Sequence, residues 1–297
     1  MITFSRLGKK GNLGNQLFQI ASTIGLSHKH KQPYVFPNWE YEKFFEISLP
    51  HGKIPEAQLI KEKYFHLYEW DLDNGDYDIL GYLQTEKYFD IPFTRKNLSF
   101  KPGFIEKIKA KKPLSGDPNN ILISVRRGDF VHHPWFYQLS YKYYLGALIH
   151  NFPDWKNRHL IFISDDISYC KTQFSNLKNS YFIDDLSPIE QLAFGSTCKD
   201  FIISNSTFSW WVAWLGEKKD SKVIAPIKNF RGKHAKVTNE KDYFPERWIR
   251  FNHHNYSIPL EHIQTILVGE MYRLKDHIQY LSKKIREKFI KKKWKKL

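Results

Sequence analysis

The 297-residue sequence predicts an α/β protein of two domains followed by a basic helical tail. Three observations carry this expectation. Short apolar strands alternate with helical patterns through residues 1–115, a polar, proline-containing segment breaks the rhythm at 111–120, and a second alternating run fills 118–255. From about residue 260 to 297 the pattern becomes one amphipathic helical stripe ending in lysines.

In the first run, "MITFSRL" reads as a strand, Asn15 to His30 as a helix, "QPYVFP" as a second strand stopped by Pro37, and "YDILGYLQ" as another. The segment "KKPLSGDPNN" is the linker. Beyond it, Ile121 to Val125, Leu160 to Ser164, "YFIDD", "DFIISNSTF" and "KVIAP" read as strands, with helices at Tyr141 to Asn151 and Ser187 to Thr197. Apolar strands separated by helices predict a parallel sheet covered on both faces, the arrangement of nucleotide-binding domains.

Composition narrows the class. A hydrophobic fraction of 41% with 16% aromatics suits a globular core. The N-terminal "MITFSRLGKKGNLG" lacks the apolar centre of a signal peptide, and no apolar run approaches the roughly 20 residues of a spanning helix. The expected location is the cytoplasm. Cys170 and Cys198 have no CxxC spacing and read as buried, reduced thiols, and the histidines show no metal-ligand spacing. The formal charge of +15 invites a nucleic-acid or membrane-binding reading. Yet nine Lys/Arg against one Glu lie between Lys283 and Lys296, so about half of the excess belongs to the tail and not to a groove.

In that tail, Leu267, Met271, Leu274, Ile278, Leu281 and Ile285 step by 4, 3, 4, 3 and 4. The stripe fits a coiled-coil seam joining two copies of the chain, or a terminal helix packed on the body. The following "KFIKKKWKKL", with Phe289, Ile290 and Trp294, fits an anionic lipid surface or a solvated end.

Four stretches carry candidate chemistry. "GNLGNQLFQIAS", Gly11 to Ser22, is a glycine-rich turn feeding a helix, suited to a ligand or to chain reversal alone. "SVRRGDF", Ser124 to Phe130, follows a buried strand, where ligands bind open α/β sheets. Neighbouring arginines there point to opposite sides: Arg126 can grip a diphosphate, Arg127 reads as a structural ion pair, and Asp129 can fix an arginine or act as a base. "IISNSTFSWWVAWLG" places Asn205, Ser206 and Thr207 before an aromatic helix, as caps, as phosphate ligands through backbone N–H groups, or as both. Trp210, Trp211 and Trp214 read as a buried helix face. The pair Asp165-Asp166 in "FISDD" could hold a cation, but the arginines offer another way to neutralise a diphosphate, and no metal is expected.

Together with "GYLQTEKYF" (Gly81 to Phe89) and "FPERWIRF", these stretches occur in the order and spacing of bacterial α-1,2-fucosyltransferases, which the chain resembles over residues 1–251. The resemblance implies a GT-B type fold, two facing Rossmann-like domains with the active site in the cleft. Residues 1–115 would form the acceptor side, 118–255 the donor side, and 260–297 the tail. It implies GDP-β-L-fucose as donor, no metal or other cofactor, no nucleic acid, and transfer with inversion to the 2-hydroxyl of a β-galactoside in an O-antigen or capsule glycan. A membrane-seeking tail would then hold the enzyme on the inner membrane near its acceptor.

By the same resemblance, Arg126 grips the β-phosphate. The mechanism of such a transfer adds the amides of Ser206, Thr207 and Phe208 as stabilisers of the leaving charge and Asp129 as the candidate base. Asn12, Gly14 and Asn15 form the far wall, with Ser124, Arg127, Asp165 and Asn205 among the donor-side residues. Two positions depart from the family pattern. Ser124 stands where histidine is usual and Gln191 where aspartate is usual, leaving Glu190 to read the guanine edge. A different GDP-deoxysugar, such as GDP-colitose, is the alternative donor.

Overall fold

The structure, a computed structural model, describes residues 1–72 and 75–294, and of 288–294 the backbone only. The side chains of Phe289, Ile290 and Trp294 and the last three residues, on which the lipid-surface expectation rests, lie outside the described set. The first sheet contains β1 (Ile2–Thr3), β2 (Tyr34–Val35), β3 (Gln58–Lys61) and β4 (Tyr77–Leu80). The second contains β5 (Asn120–Val125), β6 (His159–Ser164), β7 (Ser180–Phe182), β8 (Asp200–Ile203), β9 (Val223–Pro226) and β10 (Ile249–Phe251). The helices are α1 (Leu13–Lys29), α2 (Ile91–Asn97), α3 (Pro102–Lys111), α4 (Tyr141–Asn151), α5 (Ile167–Phe174), α6 (Pro188–Gly195), α7 (Thr207–Gly216), α8 (Gly232–Val237) and α9 (Ile263–Trp294).

Every strand pair is parallel. In the second sheet the order is β10-β9-β8-β5-β6-β7, the Rossmann order, with β5 in register from Asn120 opposite His159 to Val125 opposite Ser164. The chain moves outward from β5 to β7 and then restarts on the other side with β8. That reversal opens a crevice between the carboxyl ends of β5 and β8. The first sheet, ordered β2-β1-β4-β3, reverses between β1 and β4. All six residues of β5 are buried, which is why its sequence reads as an unbroken apolar run and not an alternating one.

The domains are joined by packing as well as by chain. One hydrophobic core runs from Ile2 to Trp248 through both sheets, with α1 against α7 at its centre. Trp210, Trp211 and Trp214 are fully buried, and Phe18 of α1 lies 4.5 Å from the Trp210 ring and 5.3 Å from the Trp211 ring. The tryptophans are buried, as their helical spacing suggests, and they form the seam between the domains. Ion pairs close its rim, where Arg247 bridges Glu86 and Glu217, and Lys87 reaches Asp242 at 2.8 Å. The segment after α3 runs along α6, its Ser115 and Gly116 bonded to the Thr197 hydroxyl at 3.1 and 3.0 Å.

Both cysteines are free and buried. Among the described residues no helix is long and apolar enough to cross a membrane. Helix α9 packs on α4 and α5, but not through its apolar stripe. Thr265, Gly269 and Asp276 face the body, while Leu267 to Ile285 of the stripe are exposed.

Candidate active site

The four singled-out stretches lie at the two switch points. In the first domain, β1 leads into the turn at residues 4–12 and β4 into residues 81–84, and Gln84 Nε2 donates to Asn15 Oδ1 at 2.8 Å across that crevice. The turn is held from behind by α1. Gln16 donates to the Gly11 carbonyl and Gln19 to the Lys10 carbonyl, both at 3.0 Å. Gly11 has φ +79°, and a Cβ there would stand 2.6 Å from that of Asn15, so only glycine fits. Asn12 caps α1 with no side-chain bond, and its amide is exposed.

In the second domain, β5 delivers the two arginines to different partners. The Arg126 side chain, 25% exposed, pairs with Asp129 one turn on and with Asp165 at 3.3 Å, and its Nε is buried without a partner. Arg127 is directed away. Its Nε meets Asp166 at 3.2 Å, its Nη2 donates to both oxygens of Asp276 at 3.0 and 2.9 Å, and the guanidinium lies over the Tyr169 ring at 3.9 Å. Arg127 therefore acts as the structural arginine, and the donor contact expected from its side chain is corrected.

Other expected donor contacts take structural parts as well. Asp165 accepts the Arg127 amide at 3.0 Å and presses on Gly128, where a Cβ would stand 2.1 Å from Oδ2; it clamps the arginine turn. Asp166 caps α5 through the Tyr169 amide at 3.1 Å. Ser124 is buried, its hydroxyl 2.7 Å from that of Ser209, in a ring completed by Ser204 and Ser206. Asn205 is also buried, and its amide donates to the carbonyls of Tyr137 and Asn229 at 3.0 and 2.8 Å. Glu190 closes the capping box of α6 with Ser187 and pairs with Lys111, and the Lys111 bond leads the causes that hold its carboxyl down at about 2.

Gly14 is the largest correction. It does not line open space: a Cβ on it would stand 2.6 Å from the Phe208 nitrogen and the Thr207 carbonyl carbon. The reason is that α1 crosses α7 at its first turn, and only a residue without a side chain admits that approach. The consequence favours anion binding, because the N-termini of α1 and α7 converge, each with unpaired first-turn N–H groups and the positive end of its dipole. Ser206 caps α7 by accepting from the Ser209 amide at 3.1 Å, and Thr207 and Phe208 are half-buried beside it.

Sequence reasoning missed four residues. Asp276 lies 149 residues from Arg127, so nothing local signals the pair. Ser204 and Ser209 complete a hydroxyl ring visible only in three dimensions. Glu62 accepts the amides of Tyr82 and Leu83 at 2.7 and 3.1 Å and holds the far crevice, and burial pushes its carboxyl up. Near that crevice, Trp39 donates to Gln16 at 2.8 Å and borders an open depression of about 500 Å³ with Glu40, Glu42, Glu46 and His51.

Two parallel α/β domains packed along α1 and α7, with an arginine pair at the carboxyl end of β5, have a GT-B type of architecture. Residues 7–252 match the family described as glycosyl transferase family 11, and the chain belongs to that family. Three curated relatives are similar to it. A Caenorhabditis elegans protein with the provisional name galactoside 2-alpha-L-fucosyltransferase svh-11 is 27% identical, over 82% of this chain and 77% of its own. The Escherichia coli O-antigen biosynthesis glycosyltransferase WbnK is 26% identical over 74% and 75%. An Escherichia coli alpha-1,2-colitosyltransferase is 27% identical over 74% and 77%. Among solved structures, NodZ alpha-1,6-fucosyltransferase soaked with GDP-fucose superposes with a TM-score of 0.48 at 11% identity, over 72% of this chain and 92% of its own.

Proposed function

We propose that this enzyme transfers L-fucose from GDP-β-L-fucose to the 2-hydroxyl of a β-galactoside in a cell-surface glycan, with inversion and without a metal. The observation that carries the reading is the convergence of the α1 and α7 N-termini next to the strand end that bears Arg126. Asp129, the exposed member of the Arg126 pair, is displaced by the donor diphosphate at little cost, since such a pair contributes about 0–1 kcal/mol. Asp165 keeps the guanidinium in place during the exchange.

As the bond between the anomeric carbon and the β-phosphate oxygen breaks, negative charge grows on that phosphate. Arg126 and the first-turn amides of α7 stabilise it, which is the largest help an oxocarbenium-like reaction can receive. The acceptor hydroxyl attacks from the face opposite GDP and inverts the centre. Its proton leaves late, to the Asp129 carboxylate freed by the donor. The depression bordered by Trp39 is the acceptor side, with carboxylates suited to sugar hydroxyls.

GDP-colitose is the second reading, favoured by the colitosyltransferase relative, which is as similar as the others. A screen of GDP-fucose, GDP-mannose and GDP-colitose against β-galactosides, with linkage analysis of products, separates the two. Fucose on O2 is the expected result, and activity should survive EDTA. Loss in EDTA restored by manganese would overturn the metal-free mechanism.

A further inference from the structure

Helix α9 extends over 32 residues, about 48 Å at the helical rise. In heptad notation Leu267, Leu274 and Leu281 are d positions and Met271, Ile278 and Ile285 are a positions. These six side chains are between 45% and 63% exposed, so the body leaves the whole stripe uncovered. The body meets the other side of the helix. Gly269 and Asp276 are f positions and Thr265 a b position, and all three are buried.

Each has a specific anchor. Thr265 accepts from Asn176 and Gln173 at 2.7 Å, Gly269 lies against Tyr141 where a Cβ would stand 2.0 Å from the ring, and Asp276 holds Arg127. The f side is diametrically opposite the a/d seam. The helix is thus fastened by one face and presents the other free of obstruction.

We propose that this face pairs with α9 of a second copy of the chain as a parallel, two-stranded coiled coil. Three features select that occupant. Ile at successive a positions with Leu at d favours two parallel strands. The flanks fit a parallel register: Ile263 at g meets Val268 at e of the other copy, apolar with apolar, while Glu270 at the next g is held to the body by Tyr141 and Lys142 at 3.0 and 3.1 Å. Covering the stripe on both copies removes on the order of 1,000 Å² of surface, about the area a biological interface must clear. A twofold pair also closes on itself and leaves no seam exposed.

Light scattering on the full-length protein at micromolar concentration, without lipid, tests the proposal. The expected mass is twice the 35.5 kDa chain, falling to one chain in Leu274→Glu/Ile278→Glu and unchanged in the off-seam control Gln279→Glu. Circular dichroism of the double variant checks that it remains folded; because both sites are exposed, it should. Leu281→Cys should give a disulfide-linked dimer on mild oxidation, since a parallel register sets this d position against itself and the native cysteines are buried. A wild-type monomer would overturn the proposal. So would a monomer that cosediments with phosphatidylglycerol vesicles and loses this in the double variant, which would make the stripe a lipid face. Failure of the Leu281→Cys crosslink in a protein that is a dimer would overturn the parallel arrangement.

Discussion

Gly14 of α1 lies against the backbone of Phe208 in α7, so closely that a methyl group on Gly14 would stand 2.6 Å from the Phe208 nitrogen. This contact sets the distance between the domains at the place where the two helix N-termini meet. The neighbour is helix backbone at the edge of the buried aromatic seam and has little room to yield.

Gly14→Ala should therefore separate the first turns of α1 and α7. The expected cost is about 1–3 kcal/mol of stability, the range for overpacking a tight core. Urea unfolding would show it as a lower midpoint, and GDP titration as weaker binding. Wild-type values for both would mean that the two helices do not depend on this contact.

Arg126 and Arg127 should fail in different ways. Arg126→Ala removes the partly exposed guanidinium and should lower turnover about 100-fold or more, the loss typical of one charge-stabilising donor, with the melting temperature nearly unchanged. Arg127→Ala leaves Asp276 buried without its cation and should cost about 3–5 kcal/mol of stability. Kinetics and thermal melts of both variants check this. An active Arg126→Ala enzyme would remove Arg126 from the phosphate site.

The Glu190 pair predicts a pH effect. Its carboxyl is held at about 2 in the folded chain, against 4.5 as its ordinary value. The folded pKa is depressed, so the contribution is complete above about 4.5 and is lost as pH falls toward 2. Glu190→Gln keeps a capping amide but removes the charge. It should be less stable than the wild type at pH 7, by under about 1 kcal/mol given the exposure of Lys111, and the difference should vanish near pH 2. Denaturant melts at pH 7, 4 and 2 measure it; a constant difference would assign the effect to the cap alone.

Much of the second domain was legible because its strands are buried on both faces. Tyr141 to Asn151 is read to the residue, β8 and β9 fall within the stretches that announced them, and β5 and β6 begin one residue earlier than read, at Asn120 and His159. In the first domain β1 and β2 have two residues each, too short for a periodicity to register, and exposed β3 has no apolar pattern at all. Several candidate residues have structural parts that the sequence does not announce. Ser124, Asn205 and Asp165 look like ligand-binding residues in a line of text because a polar side chain at a strand end carries no sign of what will cover it.

Taken alone, the sequence determined what local chemistry can determine: alternating strands and helices, arginines at a strand end, a cap on an aromatic helix, a heptad stripe in the tail. Tertiary structure decided which partners those groups meet. It turned one arginine toward Asp129 and Asp165 and the other toward Asp276, 149 residues away. It pressed Gly14 onto Phe208 and turned the leucine stripe away from the body. The physical reason is range. Propensity and capping act within a turn or two, whereas ion pairs, glycine contacts and buried hydroxyls depend on which distant segments the hydrophobic core brings together.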